Sequence, residues 1–192
     1  VGSHMLDFLI ENTSADIVGI SRWRSPLNNI SGHIPKINKG ERIHLENCDI
    51  RDSLGVHNLF SNHKFDYIFH LAAQSYPHVS FTNPLETYQT NIDGTENILN
   101  ATLKYSPKAI VHVCSSSEVF GRVPKEKVPI DEETNFHPAS PYAISKTGTD
   151  LIARFYAEAY KMKIMTTRMF THTGPRRGDV FAESSFAKQI AM

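Results

Sequence analysis

The chain has 192 residues, 40% of them hydrophobic and 21% charged, with lysine plus arginine and aspartate plus glutamate balanced at 20 each. That length makes one domain of ample size, or one domain plus a fragment of another. The even charge argues against a nucleic acid or a membrane surface as partner, and no apolar run is long enough to span a bilayer. No stretch reads as a signal peptide or an internal repeat. Cys48 and Cys114 fall in expected strands without metal-type spacing, which suits reduced core thiols in a cytoplasmic protein. The 10 histidines form no HExxH or Cys/His cluster, so no metal is expected.

The opening V-G-S-H-M reads either as a scar of tag removal or as the start of a helix. The helix is preferred, because Met5, Phe8 and Leu9 have amphipathic spacing. Asp16 to Ser21 reads as a short buried strand and leads into the basic loop Arg22-Trp23-Arg24-Ser25. Residues 26–40 are a polar, Gly/Pro/Asn-rich connection, and Arg42 to Glu46 alternates as a strand should. Asp52 stands where it can cap a helix over Ser53 to Asn62. Phe65 to Leu71 is apolar apart from Asp66 and His70, which predicts a strand covered on both faces. Its end, Leu71-Ala72-Ala73-Gln74-Ser75, is small enough for a ligand to approach the backbone, or for a tight strand–helix turn. Pro84 opens a long helix to about Lys104, on which Asn91 needs a polar partner. Toward the end, Lys163 to Arg168 reads as a strand, 169–178 as a loop, and Phe181 to Met192 as a helix.

The most informative stretch runs from Val111 to Lys146. Ala109 to Cys114 is a buried strand that breaks into Ser115, Ser116 and Ser117, then Glu118. Tyr142 and Lys146 are four residues apart on an expected helix from Pro141 to about Tyr160, which puts them on one face about 6 Å apart along the axis. A free tyrosine ionises near pH ~10. An ammonium about 4 Å away is worth up to about 4 kcal/mol at an effective dielectric of about 20, enough to bring the phenol toward neutrality before desolvation is counted. Tyr142 is then a group that takes and returns protons, Ser116 holds the same substrate oxygen, and Glu118 is a second, separate base. An isolated Y-x-x-x-K is usually an ordinary surface pair. The strand-end S-S-S-E and the Ser-Pro before Tyr142 favour the chemical reading.

S-S-S-E-V-F-G (115–121), F-H-P-A-S-P-Y-A-I-S-K (136–146) and H-T-G-P-R-R-G (172–178) together resemble the extended short-chain dehydrogenase/reductase family. That family comprises NAD(P)-dependent nucleotide-sugar epimerases and dehydratases, and the likeness is greatest to its GDP-mannose 4,6-dehydratases. The resemblance implies an α/β fold with a doubly wound parallel sheet of Rossmann type, here without the first strand and most of the C-terminal substrate region. Residues 1–178 are then the NADP-binding domain with the catalytic residues, and 179–192 the start of the substrate-binding region.

The resemblance implies catalytic roles for Ser116, Glu118, Tyr142 and Lys146, with Lys146 also on the cofactor ribose. It makes Gly2 the third glycine of a G-x-x-G-x-x-G loop against the cofactor pyrophosphate. Asp49 and Ile50 would flank the adenine, and Leu71, Ala72 and Ala73 would let the cofactor approach. Phe170, His172 and Arg177 would lie at the cofactor end of the sheet, where Arg176 also could meet phosphates. Ser21 stands where NAD enzymes carry an acidic residue, and Arg22 and Arg24 suit a 2′-phosphate, so NADP is expected over NAD. A solvated basic loop is the alternative. Gln74, Ser75, Ser80, Ser117 and Thr171 are the candidate substrate contacts, although relatives often have asparagine in place of Thr171. The implied reaction is conversion of GDP-mannose to GDP-4-keto-6-deoxymannose, and the implied assembly is a homodimer or homotetramer. The alternatives are a 4-reductase or 4-epimerase of the same fold, or a non-catalytic NADP-binding protein.

Overall fold

A computed structural model describes every residue from Val1 to Met192. Strand β1 (Ile17–Ser21) pairs in parallel with β2 (Ile43–Asn47). A second parallel piece runs in the order β3 (Tyr67–His70), β4 (Ile110–Cys114), β5 (Lys163–Thr167). No strand joins β1 to β3. Parallel neighbours require long crossovers, and the helices supply them. The crossover helices are α2 (Ile34–Lys39), α3 (Ser53–Asn62), α4 (Pro77–Thr82), α5 (Pro84–Tyr88), α6 (Gly94–Tyr105) and α7 (Pro141–Tyr160), while α1 (Gly2–Asn12) precedes β1 and α8 (Ala182–Ala191) follows β5.

One core unites the two sheet pieces. Ile20 of β1 and Ile68 of β3 both pack on Cys48, Ile50, Val56, Phe60, Ile98 and Ala101, so α3 and α6 bridge the gap. A neighbouring cluster joins Val111 and Val113 of β4 to Leu99 of α6 and to Ala153 and Tyr156 of α7. The three helices thus cover one face of the sheet and fix the carboxyl ends of the strands beside the start of α7. The other face of the second piece is open, with Tyr67 64%, Phe69 40% and Met165 56% exposed. The apolar run over 65–71 therefore does not mean two covered faces. In the same way, β1 is half-buried along its length, because only β2 pairs with it.

The opening residues form a helix, but Phe8 points outward at 58% exposure while Met5, Leu6, Leu9 and Ile10 turn inward. The connection over 26–40 is not irregular. It holds a 3-10 turn (Asn28–His33) and α2, which has proline in its first turn and ends at Gly40 with φ 64°. Proline at the start and glycine past the end are helix punctuation, hidden in a composition that reads as loop. Asp52 occupies the N-cap position of α3 without a side-chain hydrogen bond to it.

Candidate active site

The carboxyl end of β4 meets the first turns of α7. Ser115 and Ser117 continue the ladder toward β5, donating their amides to Thr167 O and Met169 O at 2.9 and 3.1 Å. Ser116 caps the short 3-10 turn Ser117–Phe120 by accepting from the Glu118 amide at 3.2 Å. The chain then turns at Gly121, φ 56°, where a Cβ would lie 1.8 Å from the His137 carbonyl oxygen, so only glycine fits. Ser140 caps α7 by accepting from the Ala143 amide at 3.0 Å, with Pro141 as first helical residue.

This geometry brings Ser116, Glu118, Tyr142 and Lys146 together. Burial raises the pKa of Tyr142, the Ser116 hydroxyl counteracts it, and the Cys114 thiol and Glu118 carboxylate push it further up. The expectation that Lys146 lowers the phenol is not met. The Lys146 ammonium instead donates to the Cys114 carbonyl at 2.8 Å, and burial lowers its own pKa. Shared helix spacing places the two side chains on one face, but the nearest strong acceptor takes the ammonium. Glu118 is exposed, and its charge reaches the phenol.

A buried polar network supports these residues from behind. Between α5 and α6 the helix widens into a π turn (Gln89–Asp93) that contains the Asn91 carbonyl. That carbonyl accepts from the Thr95 and Thr149 hydroxyls at 2.6 and 2.7 Å. Thr95 has donated its proton, so His70 Nε2 donates to Thr95 Oγ1 at 2.9 Å. The Asn91 side chain accepts from the Gln74 amide at 2.8 Å and donates to the Gln74 carbonyl and Ser145 Oγ at 2.9 and 2.8 Å. Asn91 thus finds its polar partners in the loop after β3 and in α7, and ties the two together.

Among the candidate substrate contacts, two are turned inward. The Gln74 side chain accepts from the Tyr76 amide and donates to Tyr76 O and Thr87 Oγ1. Ser80 is 0% exposed, and its hydroxyl is engaged by the Pro77 carbonyl and the Tyr142 amide. Ser75 and Thr171 are exposed and Ser117 is half-buried.

Three of the expected cofactor residues, Arg22, Arg24 and Asp49, gather at the ends of β1 and β2. Arg22, Trp23, Arg24, Ser25, Asn47 and Asp49 are among the walls of a cavity of about 450 Å³ that also includes Arg51. The sequence reading missed Arg51 and Trp23; the D-I-R-D run was the available signal for the former. Arg51 grips the Asp49 carboxylate with Nε at 3.1 Å and Nη2 at 2.6 Å, and this pairing holds the Asp49 pKa below the usual carboxylate range. Asp49 is thus held in place by Arg51, and its carboxylate keeps acceptor sites beyond those bonds. Ile50 is buried against α6, where a Cβ on Gly94 would lie 2.6 Å from Ile50 Cδ1. Leu71, Ala72 and Ala73 are half-buried beyond β3, and Gly2 is exposed at the start of α1.

The loop after β5 is held by its own contacts. Phe170 stacks on Phe120, and His172 Nδ1 lies 2.9 Å from Phe170 O. Arg177 donates to His172 O at 2.8 Å and lies over Phe181 at 4.0 Å. Arg176 donates to the Asp7 carboxylate at 2.6 Å.

Parallel strands flanked by helices, with a Ser-Glu-Tyr-Lys set at a strand end, define a Rossmann-type α/β protein. The family model for GDP-mannose 4,6 dehydratase matches residues 1–192, so the chain belongs to that family. It is 33% identical to a GDP-mannose 4,6 dehydratase of Drosophila melanogaster over 99% of this chain and 49% of that protein. It is 30% identical to a dTDP-glucose 4,6-dehydratase of Escherichia coli over 91% of this chain and 52% of that one. A crystal structure of a dTDP-glucose 4,6-dehydratase from Streptomyces venezuelae, with NAD bound, has the same fold. It superposes with a TM-score of 0.85 at 24% identity over 99% of this chain and 58% of that one. The chain spans about half the length of the curated relatives it matches. No helix is long and apolar enough to cross a membrane.

Proposed function

We propose that this chain is the cofactor-binding and catalytic part of a nucleotide-sugar 4,6-dehydratase acting on GDP-mannose, with NADP as its cofactor. Residues 1–178 carry the cofactor and catalytic groups, and 179–192 belong to the substrate-binding region. The observation that carries the reading is Glu118, an exposed carboxylate whose charge reaches the half-buried phenol of Tyr142. Two separate proton-handling groups on one substrate are what elimination after oxidation needs.

The cavity at the ends of β1 and β2 suits the adenosine end of a dinucleotide. Arg22, Arg24 and Arg51 supply three guanidiniums against one carboxylate already paired with Arg51. That balance favours a 2′-phosphate. When bound, the nicotinamide supplies the reversible hydride transfer that oxidises the sugar at C4 and later reduces it at C6.

The chain's own residues move the protons. Tyr142 removes the proton of the 4-hydroxyl as C4 becomes a ketone, and Ser116 holds that oxygen. The ketone acidifies the neighbouring C5–H. Glu118 takes the C5 proton and delivers it to the departing C6 hydroxyl, which leaves as water; when C6 is reduced, Glu118 relays a proton from solvent to C5, in balance with the 4-hydroxyl proton that Tyr142 releases to solvent. Lys146 sits behind Tyr142 with its charge beside the Cys114 carbonyl, within the site where a cofactor ribose is expected.

The test is to incubate the full-length protein with GDP-mannose and catalytic NADP+, with NAD+ in parallel, and to follow products by mass. Loss of one water at constant total reduced cofactor is expected, and Glu118→Gln abolishes it. An unchanged mass sinks the dehydratase reading and leaves a reductase or epimerase, assayed next with a 4-ketosugar and NADPH.

A further inference from the structure

The amides in a helix's first turn have no partner within the helix. In α7 each is accounted for. Pro141 has no N–H. Ala143 donates to Ser140 Oγ at 3.0 Å and Ile144 to Ser140 O at 2.9 Å, both local bonds. The Tyr142 amide donates to Ser80 Oγ at 3.1 Å, across 62 positions of sequence. In that turn, only the amide of Tyr142 itself is held from outside the helix. Ser80 suits the task. It is fully buried, and its own proton goes to the Pro77 carbonyl at 2.6 Å, which leaves a lone pair for Tyr142. α4 packs against both α5 and α7, so the bond ties the reacting turn to a fixed neighbour.

We propose that Ser80 is a positioning residue for Tyr142: it sets the phenol's place relative to Ser116 and Glu118 by holding the Tyr142 amide. This rests on the reading of Tyr142 as the proton-transferring group. The phenol hangs from the Cα next to that amide, so releasing the amide lets the first turn of α7 shift. Small misplacements of a reacting group cost rate more than binding.

The test uses the full-length protein with tyrosine labelled with carbon-13 at Cζ, as wild type, Ser80→Ala, Ser80→Thr and Tyr142→Phe. The last variant assigns the Tyr142 signal by its disappearance. In Ser80→Ala the signal moves, its titration midpoint changes, and the Tyr142 amide exchanges about fivefold faster, the usual size of a lost cap. Ser80→Thr, which keeps the hydroxyl, restores all three. With nucleotide sugar, kcat of Ser80→Ala falls about tenfold or more while KM stays within about twofold. Unchanged phenol titration and amide exchange in Ser80→Ala overturn the proposal, even if kcat falls. Ser80→Cys, similar in size but a weak acceptor, takes the place of the alanine variant if that does not fold. If the full-length protein turns over no nucleotide sugar, the functional reading fails, while the titration and exchange still decide the role of Ser80.

Discussion

His70 sits beneath the active site in a place that refuses a second proton. It is 7% exposed and donates through Nε2 to Thr95. Burial first, then the charges of Lys146 and His112, push its pKa down to about 3. The folded value is thus depressed below the unfolded one of about 6.5. Above the unfolded value neither state binds the proton, and His70 is neutral toward stability. As the pH falls below it, the unfolded chain takes up a proton that the folded chain declines. Stability then drops by up to about 1.4 kcal/mol per pH unit until the folded pKa is reached. His70→Gln keeps a donor for Thr95 and cannot titrate. Urea unfolding across this range should give a flatter acid limb for the variant than for wild type. Equal slopes would place the acid sensitivity in other groups.

At the scale of elements, the loop over 121–140 is fastened to the scaffold by one arginine. Arg168, just past β5, pairs with Asp150 of α7 through Nε at 2.8 Å and Nη2 at 3.0 Å, and donates to the Glu132 carbonyl at 2.8 Å. Its guanidinium lies 4.8 Å from the ring of Phe136 and 5.7 Å from that of Phe120. Asp150 is only 2% exposed, so deleting its partner strands a buried charge. Arg168→Met should therefore destabilise the protein by about 3–5 kcal/mol, read as a lower urea midpoint. A loss well under 1 kcal/mol would mean that the pair behaves as a surface pair. The elements themselves were legible, since Ser140-Pro141 and the apolar period announce α7, and the apolar run announces β4. The partners of the polar side chains were not. The residue that engages Ser80 is 62 positions away, and the one that clamps Gln74 is 17 away. Sequence spacing reveals neighbours on one helix, as for Tyr142 and Lys146, but not which acceptor wins the ammonium.

Over the whole molecule, the residues farthest apart in sequence are brought together beside the site. Asp7 of α1 accepts from Arg176 through one oxygen at 2.6 Å, and its other oxygen lies 2.6 Å from His33 Nε2. His4 Nε2 approaches the Pro175 carbonyl at 3.0 Å, and Asn29 donates to the Arg176 carbonyl at 3.4 Å. These contacts clasp the loop over 172–178 to α1 and to the turn before α2. Nothing in the order of the sequence places Asp7 beside Arg176, because each reads alone as an ordinary surface charge. His33 first, then Arg176, holds the Asp7 pKa below the usual carboxylate value of 3.8, so the clasp persists at neutral pH and loosens only as acid protonates that carboxyl. Asp7→Asn keeps the shape and removes the charge that both partners require. Amide exchange in 172–178 should then quicken at neutral pH, with α7 unchanged as an internal reference. Exchange in that loop as slow as in wild type would mean that the contacts of His4 and Asn29 with its backbone, rather than Asp7, hold it in place.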